Sequence, residues 1–143
     1  MALFDDVEFV FGISGEDKKN SSSWILEDWK HPKTGRNWGY YRVLHEVDQG
    51  TKLKELTVNP GQSLSMQRHN HRSEYWLVTH GACIVNSMMP NGYSLPSTLL
   101  KEHFEYHVSK GDWHQLTNPD EVPCKIVEIQ YGEQCVEEDI ERK

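Results

Sequence analysis

From Trp38 onward, apolar and polar positions alternate in short runs instead of recurring every three or four residues. In LKELTV (53–58), Leu56 and Val58 share a face with Lys54, while Leu53 and Thr57 share the other. KIVEIQY (125–131) sets Val127, Ile129 and Tyr131 against Ile126, Glu128 and Gln130. A period of two sends successive side chains to opposite faces of an extended chain, so each run predicts a half-buried strand. YYRVLHEV is followed by DQG, LKELTV by NPG, EYWLVT by HG, HFEYHV by SKGD, and CKIVEIQ by YG. Aromatic and β-branched runs cut by such turn residues predict an antiparallel all-β sandwich or barrel. Residues 86–101, which carry Pro90 and Pro96, are expected to form a long inter-strand loop. Residues 1–36 follow no such pattern. They run from Phe9-Val10-Phe11 through the polar GEDKKNSSS to Trp24-Ile25-Leu26 and HPKTGR. This stretch reads as an extension that packs on the barrel or on a partner subunit, ahead of a single domain over 37–143.

Composition narrows the function. The 143 residues suit one domain with its own core. Fifteen basic against 22 acidic residues give a net charge of −7, which speaks against a nucleic-acid or anionic-membrane partner. A small anionic substrate would need a local basic cluster. No apolar run is long enough to span a bilayer, and the N-terminus lacks the basic start of a signal peptide. Cys83, Cys124 and Cys135 are few, odd in number and far apart, which suits a reducing compartment. A cytoplasmic protein is expected.

The chemistry concentrates between Gly61 and Asn118. GQSLSMQRHNHRSEYW (61–76) brings Gln67, His69, His71, Arg72 and Glu74 into eight positions, and KGDWHQLTN (110–118) is centred on His114. On a continuous strand Gln67, His69 and His71 project from one face. Glu74 is out of phase and must enter from the next strand, and His114 must close the site from across the barrel. Imidazole, carboxylate and amide oxygen together suit one divalent ion among Zn, Mn, Fe, Co and Ni. His31, His45, His80, His103 and His107 stand outside this pattern and read as surface or internally satisfied residues.

These two clusters resemble the paired motifs of the cupin superfamily. The first motif appears as Gly61, five residues, Gln67-x-His69, four residues, Glu74, six residues, Gly81, with Gln67 where a histidine usually stands. The second appears as Gly111, His114 and Asn118, with Ser109 in place of a proline. The string Gln67-x-His69-x-x-Arg72-x-Glu74-x-Trp76 resembles the cupin module of type II mannose-6-phosphate isomerases, often fused behind a mannose-1-phosphate guanylyltransferase. NWGYYRVL, VNPGQSLSMQ, EIQYGE and EEDIER extend the resemblance over about residues 36–142. The length leaves no room for the guanylyltransferase domain, so guanylyl transfer is not expected.

The resemblance implies an antiparallel double-stranded β-helix, the cupin jelly roll. It implies one divalent metal ion on Gln67, His69, Glu74 and His114. The implied activity is aldose–ketose isomerisation of a sugar phosphate, mannose 6-phosphate to fructose 6-phosphate. Such chemistry needs a base, a cation for developing oxyanion charge, and a cationic group for the phosphate. Arg72 is the expected substrate anchor, because its planar fork suits a phosphate, with an ion pair to a nearby carboxylate as the competing role. His71, close by in the sequence, joins it as a catalytic candidate. Tyr40 and Trp76 are expected substrate contacts, with Tyr41 and Trp38 near the pocket mouth. A sugar epimerase, an iron dioxygenase and a non-catalytic sugar-binding module stay open as alternatives. Jelly rolls of this size pair through edge strands, so a homodimer is expected.

Overall fold

In a computed structural model the described residues are 31–143, and among them every regular element is a strand. Two compact units divide the chain, one ending at Pro32 and the other running from Lys33 to Lys143. The expected extension falls mostly on residues 1–30, outside the described ones.

Eleven strands make up the second unit. They are β1 (Lys33–Arg36), β2 (Gly39–Val47), β3 (Thr51–Val58), β4 (Gln67–Arg68), β5 (Arg72–His80) and β6 (Cys83–Met88), then β7 (Thr98–Leu100), β8 (Glu105–Val108), β9 (Trp113–Thr117), β10 (Cys124–Gly132) and β11 (Glu141–Arg142). One sheet has the order β1-β2-β3-β10-β5-β8 and the other β11-β4-β9-β6-β7, all pairs antiparallel. The protein is an all-β cupin jelly roll. β1 belongs to the larger sheet, so that sheet begins at Lys33, ahead of the boundary expected after residue 36.

The segment 86–101 corrects an expectation. The loop is shorter than expected: β6 runs to Met88 and pairs with β7 from Thr98, so only 89–97 lie between the strands of this hairpin, and Leu95 N–H donates to Ser87 O at 2.9 Å. Pro90 and Pro96 fall outside both strands, so neither removes a ladder donor.

Register explains where the core ends and the site begins. On the inward phase of the larger sheet, Val58 lies opposite Cys124, and Leu56 opposite Ile126, which faces Val78. Two residues along, Lys54, Glu128 and Trp76 form the next row, and after it Lys52, Gln130 and Glu74. Each strand therefore carries apolar residues at one end of its inward face and polar ones at the other. Val58, Val78, Val85, Leu116, Cys124 and Ile126 are sealed between the sheets, each contributing about 1.5–3 kcal/mol for a full aliphatic side chain. The polar rows leave the other half of the interior open as a cavity.

The motif glycines turn the chain with positive φ: +73° at Gly61, +77° at Gly81 and +88° at Gly111. Asn118, fully buried, ties three segments together. Its Nδ2 donates to Val58 O and Val122 O at 2.9 and 2.8 Å, and its Oδ1 accepts from Asp120 N–H at 2.9 Å.

Candidate metal centre

His69, Glu74 and His114 converge from three strand ends, with one donor atom from each within 4.8 Å of the others. All three are buried. His69 follows β4, Glu74 enters on β5, and His114 lies on β9 directly opposite Gln67. His69 Nε2 is 3.2 Å from Glu74 Oε2, and His114 Nε2 is 3.7 Å from Glu74 Oε1.

Backbone carbonyls orient both imidazoles. His69 Nδ1 lies 2.7 Å from Asp139 O, and His114 Nδ1 lies 3.1 Å from Asp112 O. A carbonyl only accepts, so each Nδ1 carries a proton, and Nε2 is the nitrogen that each ring turns toward Glu74. Gln67 Nε2 donates to Ser65 Oγ at 3.1 Å, which leaves its amide oxygen as the free end. Two imidazole lone pairs, a carboxylate and an amide oxygen are the donor set a divalent ion of the Zn-to-Mn series takes. The residues fit the ion.

The electrostatics agree. Burial works against charge on Glu74, but His69's hydrogen bond and the field of His114 outweigh it and hold the carboxyl well below its usual range. Burial keeps His114 low, toward the neutral imidazole, against the upward pull of Glu74. Both groups thus favour the forms that bind metal.

Next to this cluster lies a cavity of about 580 Å³, with Gln67, Arg72, Glu74, Trp76 and His114 on its wall and His69 set back from it. The volume is that of a small-molecule site. Arg72 is buried and committed. Its Nε and Nη2 each donate to Glu74 Oε2 at 3.1 Å, and Nη1 donates to Val136 O at 3.2 Å. The competing role expected for it, an ion pair with a carboxylate, is the one the geometry displays. Trp76 Nε1 donates to both Glu74 Oε1 (3.1 Å) and Glu128 Oε2 (3.0 Å).

Two sequence expectations do not reach the cavity. β4 ends at Arg68, so the alternation meant to bring His71 inward stops, and its ring turns out to Glu133 at 3.0 Å. Tyr40 lies on the opposite phase of β2, beside Lys33 and Lys125, while its neighbour Tyr41 lines the cavity.

Two residues not expected at the site are there. Glu128 lines the cavity, its carboxyl pushed up to about 8 by burial and by the charge of Glu74, against Lys54 and Arg72. Gln130 donates from Nε2 to Glu128 Oε1 at 3.0 Å, while its buried Oε1 has no partner. The signal for both was the inward phase they share with Ile126.

The sequence profile of the family described as mannose-6-phosphate isomerase C-terminal matches residues 26–143. The alginate biosynthesis protein AlgA of Pseudomonas putida is 37% identical over 118 residues, covering 81% of this chain and 22% of that protein. The xanthan biosynthesis protein XanB of Xanthomonas campestris is 36% identical over 112 residues, 78% of this chain and 22% of that one. The mannose-1-phosphate guanylyltransferase ManC of Salmonella typhimurium is 34% identical over 116 residues, 81% and 23% respectively. The chain thus spans less than a quarter of these curated relatives. Among solved structures, the capsular polysaccharide assembling protein CapF of Staphylococcus aureus superposes with a TM-score of 0.70 at 11% identity, covering 78% of this chain and 34% of that one. The oxalate decarboxylase OxdC of Bacillus subtilis superposes with a TM-score of 0.69 at 14% identity, over 80% and 30%. At such identities these two attest the fold alone.

Proposed function

The chain belongs to the mannose-6-phosphate isomerase C-terminal family, and from that premise we propose that it is a metal-dependent aldose–ketose isomerase converting mannose 6-phosphate to fructose 6-phosphate. One observation carries the reading: the His69–Glu74–His114 cluster lies beside a cavity that Glu74, His114 and Glu128 line together.

The reaction shifts one proton between adjacent carbons and one between their oxygens, with no net loss of atoms or electrons. A divalent ion held by Gln67, His69, Glu74 and His114 supplies Lewis-acid stabilisation of the oxygen charge that develops. Glu128 is the ionisable wall residue beside the cluster, bridged to Glu74 through Trp76 Nε1, and it carries the proton between carbons. Arg72 holds Glu74 in place through two hydrogen bonds to Oε2. Gln130 Oε1, buried without a partner, accepts from a substrate hydroxyl. Burial of the cluster keeps bulk water from competing for these groups. A cytoplasmic location fits three buried free thiols. Among the described residues no helix is long and apolar enough to cross a membrane.

The test loads purified protein with Mn, Co, Zn, Fe or Ni in turn and assays formation of fructose 6-phosphate. Turnover with at least one ion, abolished by chelation and lowered a hundredfold or more by Glu128→Gln, is expected. No turnover with any ion, beside intact metal and sugar binding, would replace this reading with the binding-module one.

A further inference from the structure

Arg72 was the expected phosphate anchor, yet its fork is spent on Glu74 and Val136, at 6% exposure. Four basic side chains line the cavity, Arg36, Lys54, Arg72 and Arg142, against three acidic ones. This is the local excess of positive charge that a chain of net charge −7 needs to take an anion. Lys54, like Arg72, is buried and paired: its Nζ lies 2.7 Å from Glu137 Oε2. Withdrawing either from its carboxylate would leave a buried charge unpaired.

Arg142 and Arg36 are differently placed. The Arg142 side chain forms no hydrogen bond or ion pair with any described residue. Among the described residues Arg36 bonds only the neighbouring Gly35 carbonyl, at 2.9 Å, and lies over the Tyr41 ring at 5.3 Å. Each lies on an edge strand, Arg142 on β11 of the smaller sheet and Arg36 on β1 of the larger. Arg142 stands in register with Gln67, which stands in register with His114. Two strand intervals, about 10 Å, therefore separate its backbone from that of the cluster residue. A guanidinium in that row reaches the far end of a small polyol whose near end sits at His114.

We propose that Arg142, assisted by Arg36, is the anion anchor of this cavity and selects phosphorylated over neutral sugars. The inference rests on the sugar-phosphate reading above and adds the residues that read the phosphate. Two exposed guanidiniums also explain how the anchor can release product, since neither must leave a buried partner.

The experiment is calorimetric titration of the metal-loaded protein with mannose 6-phosphate, mannose and inorganic phosphate, on wild type, Arg142→Gln, Arg142→Lys and Arg36→Gln. The circular dichroism spectrum of each variant verifies the fold. Wild type is expected to prefer mannose 6-phosphate to mannose by thirtyfold or more. Arg142→Gln is expected to lose at least tenfold of that preference, Arg36→Gln a smaller part, and Arg142→Lys to keep most of it. Inorganic phosphate should compete with mannose 6-phosphate in wild type and not in Arg142→Gln. If wild type prefers the phosphorylated sugar and both glutamine variants keep the full preference, the anchor assignment falls while the sugar-phosphate reading stands. If wild type makes no distinction between the two sugars, the sugar-phosphate reading falls and the anchor with it.

Discussion

Asp139 does its work one residue at a time. Its Oδ1 and Oδ2 accept from Asn70 N–H and His71 N–H at 2.9 Å each, and its own carbonyl receives His69 Nδ1. The turn that carries His69 is thus fixed by a residue seventy positions away. Burial would raise the Asp139 pKa, but the hydrogen bonds from Asn70 and His71 outweigh it and hold the carboxyl below its usual value. A depressed carboxyl adds stability above its unfolded pKa and loses it as pH falls toward the folded one. Asp139→Asn keeps one acceptor and forfeits the charge, so it should cost about 1–3 kcal/mol at neutral pH. The deficit should shrink in acid, where wild type loses the same contribution. Urea denaturation of both proteins at neutral pH and near pH 3 checks this; a deficit that does not narrow in acid would show that Asp139 acts without its charge. The sequence spacing around Gln67, His69, Glu74 and His114 already pointed to converging side chains. It could not show Asp139, because a loop cap depends on where the chain returns and not on any period. Glu128 and Gln130 were visible as polar residues on the inward phase of a core strand, a pattern that contradicts packing and therefore signals a site.

At the scale of elements, aromatic and β-branched runs cut by turn residues located β2, β3, β5, β8 and β10, and β3 and β10 alternate over enough residues to betray a buried face. β4 and β11, two residues each, are too short to show a period, and β1 and the β6–β7 hairpin were masked by Gly and Pro. The shortness of β4 misled the reading of His71, since alternation fails where a strand stops. Turn glycines can be ranked in the same physical terms. At Gly111 an added Cβ meets nothing within 4 Å, so Gly111→Ala incurs only the left-handed backbone penalty of about 1–2 kcal/mol. At Gly81 the same Cβ would come within 2.7 Å of Pro123 O, a backbone atom that cannot yield alone. Gly81→Ala should therefore destabilise more than Gly111→Ala in thermal or chemical denaturation, and equal losses would refute the clash. Gly111 N–H also donates to His69 O at 2.8 Å, so even its smaller loss should lower metal affinity.

The unit from Lys33 to Lys143 is two sheets whose apolar half is closed by packing and whose polar half contains buried charge. Glu74 comes from the larger sheet and His114 from the smaller, so an ion shared between them cross-links the layers. Binding to the folded state alone stabilises by about 2.7 kcal/mol when free ion exceeds Kd a hundredfold. The unfolded chain scatters the same ligands along residues 67–114 and offers no comparable site. Because the ligands bind deprotonated, the gain must decline in acid. Burial holds His114 toward the neutral form, so protonation does not oppose the ion at neutral pH. The melting temperature with excess Mn or Zn should thus exceed that with chelator at neutral pH, and the difference should narrow near pH 5. In a His69→Ala/His114→Ala double variant it should vanish at both. An undiminished metal-dependent rise in that variant would place the ion elsewhere on the chain, whereas its loss would show that the ion binds at the His69–Glu74–His114 cluster and joins the two sheets there.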